Sequence, residues 1–227
     1  MRGKLIVFDG TDSSGKKTQL GLLEKRLRAE GKRIETMSFP TYQKTRLGFL
    51  AGKYLAGEFG SKEEVGPEIG SMFFMIDRYQ FKDRIKTSLE RGATIITDRY
   101  TTSNIFQAAE VEGEERFRVW EWIKTVDSRL PKPDMVIFLN VDPGISEKLF
   151  AARDVKNPLI AKGGKDILEK DKSYQEKVRQ LYLEIAKREG WIIIDCCRNG
   201  ALRKPEDIHE EVYKKLNERG IFQSDKY

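Results

Sequence analysis

Two glycines and a lysine follow the first apolar run of the chain with the spacing of a phosphate-binding loop. The run from Leu5 to Phe8 ends at Asp9, and a helical pattern begins directly after the loop. The glycines let the backbone curl so that successive N–H groups point inward, while the helix N-terminus and the lysine add positive charge. This strand–loop–helix context is that of a Walker A motif, which binds the phosphates of ATP or a related nucleotide. The residues expected to contact the donor phosphates are Gly10, Thr11, Asp12, Ser13, Ser14, Gly15, Lys16, Lys17 and Thr18.

The metal-binding position of this loop departs from the strict Walker pattern. Lys17 stands where a serine or threonine would ligate Mg²⁺, and Thr18 lies one helical position further, rotated by about 100°. A second apolar run, Thr94 to Thr97, ends in Asp98, as a metal-organising Walker B strand does. We therefore expect Asp98 and Asp12 to hold Mg²⁺, mostly through water, with Lys17 turned away from the metal. Two plainer interpretations stay open: a strand-to-helix turn that binds nothing, and a buried strand that merely ends in an aspartate.

The apolar runs predict a parallel sheet. Four of them lack period-two alternation and are typical of strands buried on both faces, and Arg33 to Phe39 is a weaker fifth candidate. The four runs are Leu5 to Phe8, Thr94 to Thr97, Met135 to Leu139 and Trp191 to Ile194. The helical patterns are Lys16 to Glu30, Lys44 to Ala56, Pro67 to Arg91, Glu114 to Asp127, Ile145 to Arg153 and Asp166 to Glu189. Strands that alternate with helices specify a doubly wound α/β fold, with ligands at the carboxyl ends of the strands.

Length, charge and cysteine content narrow the class of protein. A chain of 227 residues with 39% hydrophobic residues suits a single α/β domain, 1–227. The net charge of +6 comes from basic residues interleaved with acids, which favours a small polyanion over a nucleic acid. The only cysteines, Cys196 and Cys197, are adjacent and poorly placed for a disulfide, which suggests a reducing cytoplasm. No apolar run approaches the length of a membrane span, so neither a signal segment nor a membrane partner is expected.

Several short motifs, taken in order, give the chain a resemblance to one family. They are Phe8-Asp9-Gly10-Thr11-Asp12, Phe39-Pro40, Asp98-Arg99-Tyr100, Ser103-Asn104 and Leu130-Pro131-Lys132-Pro133-Asp134. Together they resemble thymidylate kinases, which are P-loop nucleoside monophosphate kinases, nearly end to end. The resemblance implies a P-loop NTPase-type three-layer fold with a central parallel sheet of about five strands flanked by helices, plus a lid. It also implies Mg²⁺-assisted transfer of phosphate from ATP to dTMP, giving dTDP for dTTP biosynthesis, and a homodimer, with the apolar segment Met72 to Ile76 as a candidate interface.

The resemblance also assigns roles to residues at the matching positions. Lys16 would bind the donor phosphates, Asp12 would lie beside the acceptor sugar, and Arg99 would grip the acceptor phosphate. The residues implied to bind the acceptor nucleotide are Asp12, Phe39, Phe74, Arg78, Arg99, Ser103 and Asn104. Phe74 would stack on the pyrimidine, and Arg78, which shares its helix face at i+4, would hydrogen-bond the edge of the base. For Phe74 an ordinary place in the apolar core is the open alternative.

One departure from the family pattern bears on catalysis. Ser13 occupies a position where one class of the family carries a catalytic arginine, so positive charge must come from elsewhere. We expect it from a lid at 153–166, where basic residues surround Gly163-Gly164; they are Arg153, Lys156, Lys162 and Lys165. The implied catalytic residues are then Lys16, Arg99, Arg153 and Asp12. The alternative for the lid segment is an ordinary solvated charged loop.

Two further departures concern the acceptor. Tyr42 stands where an arginine usually follows Phe-Pro, with Lys44 and Arg46 as nearby replacements. The stretch that ends at Gln107 is one residue short of the usual spacing, so neither Phe106 nor Gln107 receives a role.

Two other functions stay open. A kinase for a deoxynucleoside or for dUMP would use similar residues, and Asp9 could then accept the hydroxyl proton. A nucleotide-binding regulatory protein without transfer activity is a different class, favoured mainly by Lys17. Transfer between two phosphates needs no catalytic histidine, and the single histidine, His209, is expected to be structural, in an amphipathic C-terminal helix.

Overall fold

Five short strands form the central sheet of the computed structural model. They are β1 (Leu5–Asp9), β2 (Ile34–Ser38), β3 (Thr94–Asp98), β4 (Met135–Asn140) and β5 (Ile192–Asp195). All are parallel, in the order β2-β3-β1-β4-β5, so β1 lies at the centre between β3 and β4. The structure describes residues 2–142, 144–146, 167–168 and 172–222. This sheet confirms the predicted fold class, including the weaker candidate strand β2.

Helices precede or follow almost every strand. They are α1 (Lys16–Ala29), α2 (Arg46–Ala56), α3 (Lys62–Val65), α4 (Pro67–Tyr79), α5 (Lys82–Glu90), α6 (Ile105–Ala108), α7 (Glu115–Val126), α8 (Lys172–Glu189) and α9 (Pro205–Glu218). Residues 144–146 are also helical. Short 3-10 turns cover Tyr42–Lys44, Thr101–Asn104 and Asp127–Arg129, and β6 (Cys197–Arg198) pairs antiparallel with β7 (Ala201–Leu202). Among the described residues, no helix combines the length and the apolar character needed to cross a membrane.

Alternate residues of β1 face two different cores. Leu5 and Val7 pack with residues of α5, α7 and α8, whereas Ile6 and Phe8 pack with residues of α1 and α9. All four side chains are fully buried, because successive side chains of a strand point to opposite faces and helices cover both. The result is a helix–sheet–helix sandwich that places the carboxyl end of β1 in its interior.

The sequence predicted one continuous helix from Pro67 to Arg91, and this prediction is wrong. The structure has two helices, α4 and α5, separated by Gln80 and Phe81. The amide of Phe81 donates to the carbonyl of Arg78, three residues back, and the Phe81 ring packs edge-on against Phe39 at 5.6 Å between centroids. A contact between distant segments therefore ends α4, and helical periodicity does not reveal it.

Most other boundaries of the described elements were predicted to within a few residues, but the helix predicted from Asp166 begins at Lys172, and residues 167–168 form a turn. α2 begins at Arg46 rather than Lys44, because the Thr45 side chain accepts a hydrogen bond from the amide of Gly48 at 2.9 Å and caps the helix. The short helix α3 and the β6–β7 hairpin were not predicted. Past α9, Ile221 is buried in the second core. The predicted lid at 153–166, and most of the predicted helix from Ile145 to Arg153, lie outside the described residues.

Candidate active site

The phosphate loop joins β1 to α1 in a curled conformation that depends on two glycines. Gly10 has φ +145°, and a Cβ on it would lie 2.8 Å from the carbonyl oxygen of Leu139 on β4. Gly15 has φ +85° immediately before α1. Other residues would be strained at both positions. The loop therefore passes close to β4 and ends at the N-terminus of α1, as a phosphate-binding loop requires.

Lys16 crosses the inside of this loop. Its Nζ donates to the carbonyl oxygens of Thr11 at 2.7 Å and Gly10 at 3.1 Å, and to Ser14 Oγ at 3.2 Å. The residue is 3% exposed, and a buried ammonium group requires such partners. Lys17 and Thr18, in the first turn of α1, are exposed. The loop thus places one lysine of the pair inside and the other at the surface.

Asp9 fastens the loop to its surroundings. Its fully buried carboxylate accepts hydrogen bonds from the Gly10 amide at 2.9 Å, from Ser103 Oγ at 2.8 Å and from the Tyr182 hydroxyl at 2.7 Å, and it also accepts one from Thr102 Oγ1. Burial, followed by the Asp9 charge, raises the pKa of Tyr182, so this phenol stays a donor. The aspartate that ends β1 therefore anchors the segment after β3 and helix α8 to the base of the phosphate loop.

Arg99 reaches the same loop from the end of β3. Its Nη2 donates to Asp12 Oδ1 at 2.7 Å, its Nη1 donates to the Gly10 carbonyl at 3.3 Å, and Nη1 lies 3.7 Å from Asp9 Oδ1. Its guanidinium carbon lies 5.0 Å from the centroid of the Phe106 ring. Burial disfavours the charge, but the carboxylates of Asp12 and Asp9 outweigh this effect and raise the pKa of Arg99. A permanent cation is therefore fixed beside the phosphate loop.

A cavity of about 550 Å³ opens beside Arg99, and we call it the acceptor pocket. All seven residues that the sequence implied for the acceptor line it: Asp12, Phe39, Phe74, Arg78, Arg99, Ser103 and Asn104. The other lining residues are Pro40, Tyr42, Leu55, Asp77, Tyr100, Phe106, Gln107 and Leu168. Residues from the loop, β3 and α4 thus converge on one space.

Phe74 is both a pocket residue and a packing residue. Its ring is half-buried, lies edge-on to Tyr54 at 5.8 Å and lines the acceptor pocket. Gln107, which received no role from its spacing, is fully buried in the same wall, where its Oε1 accepts a hydrogen bond from the Tyr54 hydroxyl at 3.1 Å. Sequence reasoning missed Gln107 because the short spacing after Asn104 hides its place in the pocket.

The segment after Phe39 forms another wall of the pocket. Asp77, fully buried on α4, accepts hydrogen bonds from the amide of Thr41 at 2.8 Å and from Gln80 Nε2 at 2.8 Å. Tyr42 follows with φ +43° and lines the pocket. The proposed replacements for the missing arginine, Lys44 and Arg46, are exposed and do not line it.

A second cavity lies on the other side of the phosphate loop. It is lined by Ser13 to Gln19 of the loop and α1, by Leu202 of β7, and by Arg203, Pro205 and Ile208 beyond the β6–β7 hairpin. Six of the nine residues predicted to bind donor phosphate line this cavity: Ser13, Ser14, Gly15, Lys16, Lys17 and Thr18. The hairpin residues were missed, although Asn199-Gly200, with φ +51° and +74°, is a hairpin-turn signal. The loop therefore contributes residues to two separate cavities.

Two carboxylates are available to a metal ion. Asp98 is 3% exposed at the end of β3, where it lies opposite Phe8 of β1, and the Asp12 side chain is 21% exposed on the loop. Oxygen ligands of this kind suit Mg²⁺. Within the part of the chain that the structure describes, no cluster of three or more His, Cys, Asp or Glu residues could hold a metal. Mg²⁺ bound here would therefore depend on water and on the nucleotide phosphates for its remaining ligands.

Comparison with known proteins identifies the family. The model of the family described as thymidylate kinase matches residues 8–218. Thymidylate kinase of Plasmodium falciparum is 30% identical over 215 residues, covering 95% of this chain and 90% of that protein. The thymidylate kinase of Schizosaccharomyces pombe is 34% identical over 215 residues, covering 93% and 90%. Among solved structures, thymidylate kinase from Candida albicans matches with a TM-score of 0.74 at 25% identity, covering 97% of this chain and 93% of that one. The chain therefore belongs to the thymidylate kinase family, whose members are nucleoside monophosphate kinases.

Proposed function

We propose that this chain transfers the γ-phosphoryl group of ATP to dTMP, giving dTDP and ADP, with Mg²⁺ as cofactor. The observation that best supports this proposal is that the cationic side chains of Lys16 and Arg99 lie beside each other at the phosphate loop. Lys16 and Arg99 donate to the same carbonyl oxygen, that of Gly10, at 3.1 and 3.3 Å. One cation belongs to the donor loop and the other lines the acceptor pocket. Two phosphate groups held by these residues would meet at the loop.

The chemistry that follows depends on alignment and charge rather than on a proton acceptor. A phosphate oxygen of the acceptor is already largely ionised near neutral pH, so the protein needs to hold it in line with the donor and stabilise the migrating group. Lys16 and Arg99 are the residues placed for this, with Asp12 orienting the Arg99 guanidinium. The Asp9 carboxylate accepts several hydrogen bonds and would hold the phosphate loop in place. The nucleoside-kinase alternative, which needs Asp9 as a base, is correspondingly less favoured.

The metal would complement these cations. Asp98 and Asp12 are the residues that would hold Mg²⁺, mostly through water. When bound, Mg²⁺ neutralises charge on the donor phosphates. Lys17, exposed on α1, does not compete for that position.

The lid and the dimer belong to the same proposal. Arg153, in the lid at 153–166 and outside the described residues, would supply the charge that Ser13 cannot. The partner would be a second copy, bound through an apolar surface that includes Phe59, Ile69 and Met72, which are 44%, 50% and 43% exposed. Ile69 and Met72 are three residues apart on α4, and exposed large apolar side chains of this kind are typical of an interface.

An acceptor panel tests the proposed function. ADP release, measured with ATP and Mg²⁺ through coupled enzymes, is compared for dTMP, dUMP, dCMP, dGMP and the nucleoside thymidine. We expect the highest kcat/KM with dTMP. The margin over dUMP, which lacks one methyl group, should be about 10- to 200-fold at most. A preference for thymidine would favour a nucleoside kinase, and ADP release with none of the acceptors would favour a regulatory nucleotide-binding protein.

A further inference from the structure

A buried ion pair lies behind the acceptor pocket. Arg78 Nη2 donates to Asp127 Oδ2 at 2.9 Å, and the two side chains are 2% and 4% exposed. Arg78 is in the last turn of α4, and Asp127 begins the 3-10 turn that follows α7. The pair therefore joins α4 to the turn that follows α7, although Arg78 and Asp127 are 49 residues apart in the chain.

The other two nitrogens of the Arg78 guanidinium, Nη1 and Nε, differ in their hydrogen bonding. Nη1 donates to Asn104 Oδ1 at 3.4 Å, while Nε has no hydrogen-bond partner among the described residues. Arg78 and Asn104 line the acceptor pocket, whereas Asp127 does not. Leaving a buried N–H unsatisfied costs about 1–3 kcal/mol. Arg78 thus keeps donors, the Nε–H among them, for an acceptor atom of a bound nucleotide.

Tyr100 belongs to the same buried cluster. Burial raises the pKa of Tyr100; the nearby charge of Arg78 lowers that pKa and the charge of Asp127 raises it. The Tyr100 hydroxyl and Asp127 Oδ1 are both without hydrogen-bond partners in the described part of the chain. Because Tyr100 directly follows Arg99, the cluster connects the arginine at the base end of the pocket with the arginine at the phosphate end.

A buried ion pair contributes little net stability, because removing two charges from water costs about as much as their attraction returns. The Asp127 carboxylate does, however, fix the orientation of the planar Arg78 guanidinium. We infer that Asp127 is a positioning residue for the acceptor nucleotide, holding Arg78 so that its Nε–H meets a keto oxygen of the pyrimidine. This inference rests on the proposed function. It adds that Asp127 touches no substrate and yet sets the affinity for the acceptor nucleotide.

Asp127→Asn tests the inference, with Asp134→Asn as the matched control. Asp134 also joins distant segments, accepting from Arg2 Nη1 at 3.1 Å and from the Leu5 amide at 2.8 Å, but it does not line the acceptor pocket. We expect Asp127→Asn to raise KM for dTMP on the order of ten-fold to a hundred-fold, with KM for ATP unchanged and a much smaller change in kcat. Asp134→Asn should alter only the unfolding temperature. An unchanged KM for dTMP in Asp127→Asn overturns the inference.

A double-mutant cycle with Arg78→Lys separates positioning from a general structural role. If Asp127 acts through Arg78, adding Asp127→Asn to Arg78→Lys should raise KM for dTMP no further than Arg78→Lys alone. Fully additive losses, or equal losses for dTMP and ATP accompanied by a lower unfolding temperature, would show a structural role and contradict the inference.

Binding measurements keep this test distinct from that of the proposed function. If the wild-type chain phosphorylates no monophosphate, the proposed function fails, and calorimetric titration with dTMP still compares wild type with Asp127→Asn. Weaker dTMP binding by the variant then supports the positioning role, and equal binding overturns it. A wild-type chain that binds no dTMP overturns both.

Discussion

Lys16 and Arg99 donate hydrogen bonds to one and the same carbonyl oxygen, that of Gly10. The first residue opens α1 and the second follows β3, so the sheet brings together two cations that are far apart in the sequence. Parallel strands place their carboxyl ends at one edge, which is where α/β proteins bind ligands. The five predictions that follow test this arrangement and its surroundings.

Arg99→Lys should impair use of the acceptor. Lysine cannot reproduce the two-pronged contacts of Arg99 with Asp12 and Gly10. We expect kcat/KM for dTMP to fall on the order of 10²- to 10³-fold, with little change in KM for ATP. Steady-state kinetics with each substrate varied in turn measure this, and exposed Arg91→Lys is the control. Wild-type kinetics in Arg99→Lys would remove this residue from the site.

Lys17→Thr should restore a direct ligand for the metal. Since Lys17 is exposed, its replacement should leave the fold intact. We expect half-maximal activity at an Mg²⁺ concentration lower by on the order of ten-fold, because a hydroxyl then stands in the position that the Walker motif uses. A magnesium titration measures it, and Lys25→Thr on the exposed side of α1 is the control. If neither the titration nor turnover changes, Lys17 has no bearing on the metal.

Arg153→Ala should reduce turnover far more than ATP binding. The loop residue Ser13 brings no positive charge to the transferred phosphate, so a residue from the lid must do so. We expect kcat to fall by about 10²-fold or more, with ATP affinity, measured by calorimetry, close to that of wild type. Arg84→Ala, an exposed arginine on α5, is the control. Undiminished turnover would exclude Arg153 from the mechanism.

Glu110→Gln should stabilise the fold at alkaline pH. Burial raises the pKa of Glu110 to about 8 from an ordinary value of 4.5, although Lys62 opposes this. Between these values the folded chain holds a proton that the unfolded chain has released, so Glu110 lowers stability as pH rises. The unfolding temperature of the variant relative to wild type should increase between pH 5 and pH 8.5, by about 2–4 °C for each kcal/mol gained. The exposed Glu115→Gln should show no such trend, and a parallel response in both variants would contradict the assignment.

Ile69→Asp should weaken self-association. A charge in place of the exposed Ile69 would have to be desolvated in a dimer that buries the side chains of Phe59, Ile69 and Met72. We expect the molar mass from light scattering to shift from two chains toward one at micromolar concentration. Lys86→Asp, at an exposed position of α5, should leave the mass unchanged. A wild-type chain that is monomeric at all concentrations would exclude the homodimer.

Local signals in the sequence predicted the sheet and the phosphate loop well, for physical reasons. Helices cover both faces of β1 and β3, so both strands are buried throughout and mostly apolar. Gly10, Gly15 and Lys16 meet steric or electrostatic requirements that arise within the loop itself. The break after α4 could not be predicted in the same way. It depends on the packing of Phe81 against Phe39, a contact between segments that periodicity treats as independent.

The sequence predicted only some of the residues in and behind the acceptor pocket. Phe74 and Arg78 share a helix face, which spacing alone reveals. Asp127 carries no signal of its own, because an aspartate at the end of a helix is common and its partner is 49 residues away. The family resemblance identified residues that line the acceptor pocket, whereas the buried carboxylates behind them became visible only in the fold.

Following the labelled phosphate tests the central claim most directly. With ATP labelled at the γ-phosphate, Mg²⁺ and dTMP, the label should appear in dTDP in equal amount to the ADP formed, and Lys16→Met should abolish this transfer. Label released mainly as inorganic phosphate, or retained in ATP, would contradict the account of two cations that align a donor and an acceptor phosphate at the carbonyl of Gly10.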